Sequence, residues 1–348
     1  MSRRSQPAGG RGGRPTMADI ARRAGVSVST VSRALAGSPL VAAELRGRIA
    51  RIAGESDYVV NQVARGLRLQ RSRQILIILP TIANPFFAEV VLGVEEAAQA
   101  RGHGVLVGNT SGSAERAAAL ARNLLTGAVD GLILLMGRIP DSLSDLAARE
   151  RVVAISEKVP DLDVPTVSIN NAAAAREATA HLVGLGHRRI AHIAGRAGSN
   201  VATQRIVGYR SALAAAGLPV RDEMIVAGDF SVASGEAAMG RLLDLDSPPS
   251  AVFCAGDEMA VGAINAAIAR GLRVPGDLSV VGFDDLPIAS AFNPRLTTIH
   301  QPRREMGRAA AELLIDHIED KSRPAPSRQL PHRLVVRAST AAVGRDRA

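Results

Sequence analysis

From Arg73 onward the chain alternates apolar runs of strand length with alanine-rich segments of helical period, and no other feature restricts its fold as much. The runs Gln74–Leu79, Gly104–Gly108, Gly131–Leu135, Val152–Ile155, Ile190–Ala194, Ala251–Ala255 and Leu278–Gly282 are too continuously apolar for strands with one wet face. Between them, segments such as Phe86–Arg101, Ala172–Gly184, Thr203–Ala216, Ser234–Leu245 and Met259–Arg270 have helical spacing. Gly102, Gly186, Gly217 and Gly271 stand where helices would stop. Such repetition predicts parallel sheets covered by helices on both faces.

The first 74 residues differ. They hold 14 arginines and four acidic side chains, a net of +10, whereas the other 274 residues sum to −1. A small, strongly basic segment on a near-neutral body is the charge pattern of a polyanion-binding head, with a solvated basic tail as the plainer alternative. Residues 1–15 contain nothing to bury and read as a flexible basic arm. Thr16-Met17-Ala18-Asp19 then has the spacing of a capping box, Ile20, Ala21 and Ala24 share a face, and Gly25 ends the helix. Ser27 can cap a second helix, Val28–Leu35, and a third, about Val41–Glu55, turns Leu45, Ile49 and Ile52 inward. A helix, a tight glycine turn and a short helix make a helix-turn-helix.

At 348 residues there is room for roughly two or three domains. No apolar run follows Arg3 and Arg4, so neither an export signal nor a membrane span is expected. The single cysteine, Cys254, forms no internal disulfide, and the expected compartment is the cytoplasm. Catalysis is not expected. Gly184-Leu185-Gly186-His187-Arg188-Arg189 is not GxGxxG and follows a helix rather than a strand. GxxxxGK[ST], GxSxG and histidine clusters at metal spacing are missing, so no cofactor or metal is expected either.

The run from Thr16 to Leu35 resembles the headpiece of the lactose and galactose repressor family almost position by position. Asn61-Gln62-Val63-Ala64-Arg65-Gly66-Leu67-Arg68 is similar to the family's hinge helix. The likeness continues through Asn84-Pro85-Phe86-Phe87, Leu185-Gly186-His187, Gly208-Tyr209, Gly282-Phe283-Asp284-Asp285 and Leu296-Thr297-Thr298-Ile299. Gly228-Asp229-Phe230, Leu243-Asp244-Leu245, Pro248-Pro249 and Ala251-Val252-Phe253-Cys254 look most like a nucleoside-responsive branch, that of the cytidine regulators. Departures fall at Ala42, where Ser or Thr usually caps a helix, at Val60 for a proline, at Asn170 for an aspartate, and at Gly256 for a frequent asparagine.

The resemblance implies an N-terminal all-α helix-turn-helix headpiece plus hinge helix, joined to an α/β periplasmic-binding-protein-like core of two parallel-sheet subdomains. The implied boundaries are 1–15 for the arm, 16–60 for the headpiece, 61–71 for the hinge helix and 72–348 for the core. Within the core, the N-subdomain takes about 72–168 and 300–330, and the C-subdomain about 169–299 and 331–340. The implied function is a homodimeric transcriptional regulator, a repressor, that binds a palindromic operator in double-stranded DNA under control of a small-molecule effector. A nucleoside is the favoured effector and a sugar the alternative. A periplasmic-type small-molecule binding protein is the other reading of the core, but such a receptor has an export signal and no headpiece.

Site residues follow from the same likeness. Val28, Ser29 and Arg33, at the start of the second helix, are placed to meet base edges, and Thr16, Ser27 and Thr30 phosphates. Arg33 offers guanine a bidentate fork, and Val28 can only make apolar contact; a solvated helix arginine is the plainer reading. Leu67, amid arginines, becomes a minor-groove wedge with Asn61, Ala64 and Arg68 beside it, or else packs on its own domain. Phe86, Phe87 and Phe230 match cleft-lining positions that stack on a flat ring, with core filling as the alternative for Phe87. Arg205 and Asp284 match polar ligand contacts, Glu157 stands near another, and Asp257 reads as a helix cap.

Overall fold

The computed structural model describes residues 15–56, 58, 71–137, 151–157, 164–320, 322 and 325–343. The chain divides into two units, residues 1–70 and 71–348. The first contains α1 (Met17–Ala24), α2 (Val28–Leu35) and α3 (Ala43–Glu55). Thr16 and Asp19 form the capping box, the Thr16 hydroxyl accepting the Asp19 N–H at 3.3 Å and the Asp19 carboxylate accepting the Thr16 N–H at 2.9 Å. Gly25, at φ 65°, stops α1, and Ser27 caps α2 by accepting the Thr30 N–H at 3.2 Å. Ile20, Val31 and Ile49 are fully buried where the three helices meet. α3 begins later than its periodicity predicts: Val41 lies ahead of the helix with its side chain in the core, and Ala42 occupies the cap position with no side-chain bond to give.

The second unit begins with β1 (Gln74–Leu79), α4 (Pro85–Ala100), β2 (Gly104–Asn109), α5 (Ala114–Leu125), β3 (Gly131–Leu134), β4 (Val152–Ile155) and β5 (Thr166–Ile169). α6 (Asn171–Gly184), β6 (Ile190–Ala194), α7 (Asn200–Ala215), β7 (Ile225–Ala227), α8 (Val232–Leu243), β8 (Ala251–Cys254), α9 (Asp257–Ala269), β9 (Ser279–Val281) and α10 (Pro287–Ala291) follow. β10 (Thr298–His300), α11 (Arg303–Glu319), β11 (Arg328–Leu330) and β12 (Arg333–Val335) complete it.

Two parallel sheets result, one in the order β11-β5-β4-β3-β1-β2 and the other β7-β6-β8-β9, and an antiparallel pair joins β10 to β12. The chain passes between the two larger sheets after β5, between β10 and α11, and between β11 and β12. The strands β5, β7 and β10 to β12, of three or four residues each, are not among the apolar runs that mark strands in the sequence. All four glycines read as helix stops have positive φ. At the point where this unit begins, the buried Asp130 carboxylate accepts the backbone N–H groups of Ser72 and Arg73 at 2.8 and 2.7 Å.

Coverage on both faces holds for β1 and β3 to β5 but not for β2. This strand is the sheet edge, and its Leu106 and Val107 are nearly half exposed, at 47% and 46%. Its sequence is as apolar as a central strand's, so its edge position could not be read from periodicity.

Helices pack on glycine. In α4 and α11, Gly93 lies against the Arg304 carbonyl and Gly307 against the Val90 carbonyl, so close that a Cβ on either would overlap backbone. Backbone cannot move aside as a side chain tip can, and overpacking of this kind typically costs about 1–3 kcal/mol. Gly93→Ala should therefore lower the urea midpoint of the core despite the better helix propensity of alanine. An unchanged or raised midpoint would show that the two helices can separate freely.

Candidate functional site

One candidate surface lies on the first unit. α2 buries Val31 and Ala34 and turns the opposite face outward, leaving Val28, Ser29 and Arg33 exposed. Thr16 and Ser27 are exposed at the two helix starts, and Thr30 is half-buried. The Ser27 hydroxyl lies 2.8 Å from both the Ser29 and Thr30 hydroxyls, so capping fixes three polar groups together at the start of α2. Asn61, Ala64, Leu67 and Arg68 lie outside the described residues.

The second candidate site is in the core, where segments leave the C-terminal ends of strands, the edge at which open parallel sheets bind ligands. Six non-glycine residues have positive φ among those described, and five of them, Ser111, Ser156, Phe230, Asp284 and Asp285, follow strand ends. Backbone strain of this kind persists only where its surroundings enforce it, and it clusters at functional sites.

Arg205, on α7, is the centre of this site and only 4% exposed. Its Nε donates to the Asn171 side chain at 3.0 Å, one Nη to the Ala255 carbonyl, and the other Nη lies 3.8 Å from the Asp284 carboxylate. The guanidinium also covers the Phe283 ring, its Cζ 3.6 Å from the centroid. Burial pushes the pKa of Arg205 down, and Asp284, Glu157 and Asp257 oppose that shift. Asp284, 7% exposed at φ 107°, accepts from Gln301 Nε2 at 2.6 Å. Burial raises the Asp284 pKa, and Arg205, Arg303 and the Gln301 bond pull it back.

Phe230 is half-buried with its ring over Gly195, where a Cβ would overlap the ring, and its edge is 3.4 Å from where a Cβ on Gly256 would stand. Both glycines follow strand ends, so the ring lies on bare backbone. Glu157 reaches from the end of β4 to accept the Ser199 hydroxyl at the start of α7, at 2.6 Å. Phe86 and Phe87 open α4 as an edge-to-face pair, centroids 5.4 Å apart, both half-buried. The structure thus gathers Arg205 and Asp284, with Glu157 near enough to bear on the Arg205 charge, and sets Phe230 beside Asp284 across Gly256. The ring contact of Phe86 and Phe87 is with each other.

Asp257 is not a cap. The cap position of α9 is Gly256, and Asp257 begins the helix fully buried, accepting the Leu286 N–H at 2.7 Å and the Thr298 hydroxyl at 2.6 Å. Burial holds its carboxyl well above the ordinary carboxylate range, with Asp284 adding to the effect. Asp285 turns away from Asp284 and binds Arg337 at 2.6 Å and His300 at 2.9 Å.

Four further residues escaped the sequence reasoning, because their roles come from partners distant in sequence. Asn171 and Gln301 hold Arg205 and Asp284. Arg303, the first residue of α11, is 8% exposed; its Nη2 donates to the Asp285 carbonyl at 2.9 Å, and its buried Nη1 has no partner among the described residues. His192 stacks between Phe253 and Tyr209, centroids 4.7 and 5.2 Å away, and its Nδ1–H donates to the Phe253 carbonyl at 2.9 Å. Phe253 continues this column to Phe283 and so to Arg205.

Comparison with known proteins adds the following. Residues 16–61 match the family described as bacterial regulatory proteins, lacI family, and residues 179–340 a periplasmic binding protein-like domain. The transcriptional repressor CytR of Escherichia coli K12 is 39% identical over 330 residues, covering 94% of this chain and 97% of that protein. Among solved structures, a transcriptional regulator CelR in complex with cellobiose is 36% identical with a TM-score of 0.72, covering 94% of this chain and all of that one. The Lac repressor dimer bound to operator and the anti-inducer ONPF is 30% identical with a TM-score of 0.85, covering 94% and 99%.

The column under Arg205 has a pH signature. Burial depresses the His192 pKa from 6.5 to about 4, so the unfolded chain takes up a proton in this window and the folded chain does not. Stability from this group is complete above pH 6.5 and is lost as the pH falls through 6.5 to 4, by on the order of 3 kcal/mol. Urea melts of wild type and His192→Phe at pH 7.5 and 4.5 should show the wild type losing more stability on acidification. Equal losses would mean that the imidazole is not held neutral.

Proposed function

The chain belongs to the lacI family of bacterial regulatory proteins, and from that premise we propose an operator-binding face on its headpiece and a nucleoside site in its core. It is a sequence-specific, DNA-binding transcriptional regulator controlled by a small-molecule effector, and not an enzyme. It works as a homodimer on DNA, in the cytoplasm. Among the described residues, no helix is long and apolar enough to cross a membrane. The headpiece decides against a periplasmic-type receptor, which has no use for one.

In this reading 1–15 is the arm, 16–60 the headpiece, 61–71 the hinge helix and 72–348 the core, with subdomains of about 72–168 with 300–330 and 169–299 with 331–340. Val28, Ser29 and Arg33 read bases, while Thr16, Ser27 and Thr30 meet phosphates. Leu67 is the minor-groove wedge, with Ala64 beside it, and Asn61 and Arg68 serve phosphates or the groove floor. A helix as short as 61–71 is marginal alone in water, so an effector that separates two hinges can melt them and release the operator. The apolar surface of Leu106 and Val107 on the edge strand β2 suits coverage by a second copy. The protein acts as a repressor, like the relatives so named.

The effector site consists of Phe86, Phe87, Glu157, Arg205, Phe230 and Asp284. The observation that carries this assignment is the buried Arg205 and Asp284 beside the strained, half-exposed Phe230 ring. Phe230 stacks on the ligand's flat face, Asp284 accepts from hydroxyls, and Arg205 favours the charged form of Asp284 against burial. The likeness to CytR favours a nucleoside; the cellobiose complex of the similar CelR supports a sugar as the second reading.

Selection from random duplexes with the full-length protein should recover an inverted repeat, mirroring the two-fold dimer. Arg33→Ala should relax preference at one base position per half-site, worth about 1–3 kcal/mol, whereas replacing Arg3, Arg4 and Arg11 should mainly flatten the salt dependence. Recovery of no inverted repeat would sink the operator reading. Calorimetric titration with cytidine, adenosine, ribose and common hexoses should give saturable binding of a nucleoside. Saturable binding of a hexose and of no nucleoside would leave the regulator standing and remove the proposed ligand class.

A further inference from the structure

Arg303 is out of keeping with its surroundings. It leads α11 directly after the chain crosses from β10, and the crossing delivers two buried side chains, Gln301 and Arg303, toward Asp284. Gln301 satisfies itself on the Asp284 carboxylate. Arg303 does not. Of five N–H donors on a guanidinium, its recorded side-chain bond uses one, from Nη2 to the Asp285 carbonyl, and Nη1 is buried without a partner among the described residues. An unmet donor on a buried cation is expensive to keep, and structures retain such groups where something else completes them.

A second unmet atom lies at the same edge of the six-stranded sheet. Ser156 Oγ, buried and partnerless among the described residues, follows β4 at φ 66°, next to Glu157. α11 packs against β4, and its Leu314 and Ile318 lie against Gly131 at the start of the parallel neighbour β3, which turns its N-terminus toward the strand ends where Ser156 stands. A guanidinium and a hydroxyl, both buried and both unsatisfied, are the donor set that recognises an oxygen acceptor.

We propose that Arg303 is an effector-binding residue, its Nη1 donating to a carbonyl or oxyanion oxygen of the bound molecule. This rests on the cleft being the effector site, and it narrows the ligand class. Arg205 donates to Asn171 and Ala255 and lies 3.8 Å from Asp284, whereas Nη1 of Arg303 is buried with no partner among the described residues. A molecule with an in-plane carbonyl, such as a pyrimidine base, or with an oxyanion, such as a sugar phosphate, answers that donor. A neutral sugar offers only hydroxyl and ring oxygens, which are weaker acceptors for a cation.

The test uses the full-length protein as wild type, Arg303→Met and Arg303→Lys, titrated calorimetrically with cytidine, ribose 5-phosphate and ribose and melted without ligand. Cytidine or ribose 5-phosphate, whichever the wild type binds, should bind Arg303→Met about 10-fold more weakly or worse, with Arg303→Lys recovering part of the loss. Unliganded Arg303→Met should melt at or above the wild type, because an unmet buried donor is gone. A lower melting temperature with unchanged ligand affinity makes Arg303 a structural partner of Asp284 and overturns the assignment. So does cytidine affinity equal in wild type and Arg303→Met, which would leave the nucleoside reading intact. Arg303-dependent binding of ribose 5-phosphate, with none of cytidine, upholds Arg303 and removes the nucleoside. If none of the three ligands binds, the melting comparison decides alone, in the same two directions.

Discussion

A guanidinium that is 4% exposed must be surrounded by acceptors, and the core of this protein is arranged around meeting that demand for Arg205. Its four partners come from three places: Asn171 at the start of α6, the Ala255 carbonyl after β8, and the Phe283 ring and Asp284 carboxylate after β9. Satisfying one charge therefore fixes the relative positions of these strand and helix ends. The same cation pulls the Asp284 pKa down against the rise that burial imposes on it.

Around this pair, neighbouring acidic residues take different roles because their environments differ. Asp257, without a cation in contact, is pushed toward its neutral form and ties β10 and the segment before α10 to α9. Asp285, in contact with Arg337 and His300, is held below the usual carboxylate range despite burial and serves the frame. Asp284, between them in behaviour, is the one that remains beside the half-exposed Phe230 ring. The positive φ at Phe230 and Asp284 aims both side chains from strand ends that would otherwise direct them elsewhere.

The two units have separate physics. The headpiece is a small cluster in which caps and a few buried aliphatic side chains do most of the work, and its outward α2 face is polar and basic. The core is larger, with helices packed so closely that Gly93 and Gly307 lie against backbone carbonyls, and the chain crosses three times between its two parallel sheets.

The sequence by itself determined the headpiece, the strand-helix order and the helix stops, because a capping box at Thr16 and Asp19, a turn at Gly25 and apolar runs of fixed period act over a few residues. It also pointed to Arg205, Phe230 and Asp284, through likeness to a family. What it could not contain was the pairing. Asp257 read as a cap because Asp before a helix usually is one, and only the approach of Leu286 and Thr298, 29 and 41 residues away, made it a buried strut. β2 read as a covered strand because nothing local distinguishes an edge from a centre. Nothing in the sequence marks Arg303, since burial and an unmet donor are properties of a fold: they depend on which distant groups arrive beside a side chain, and which do not.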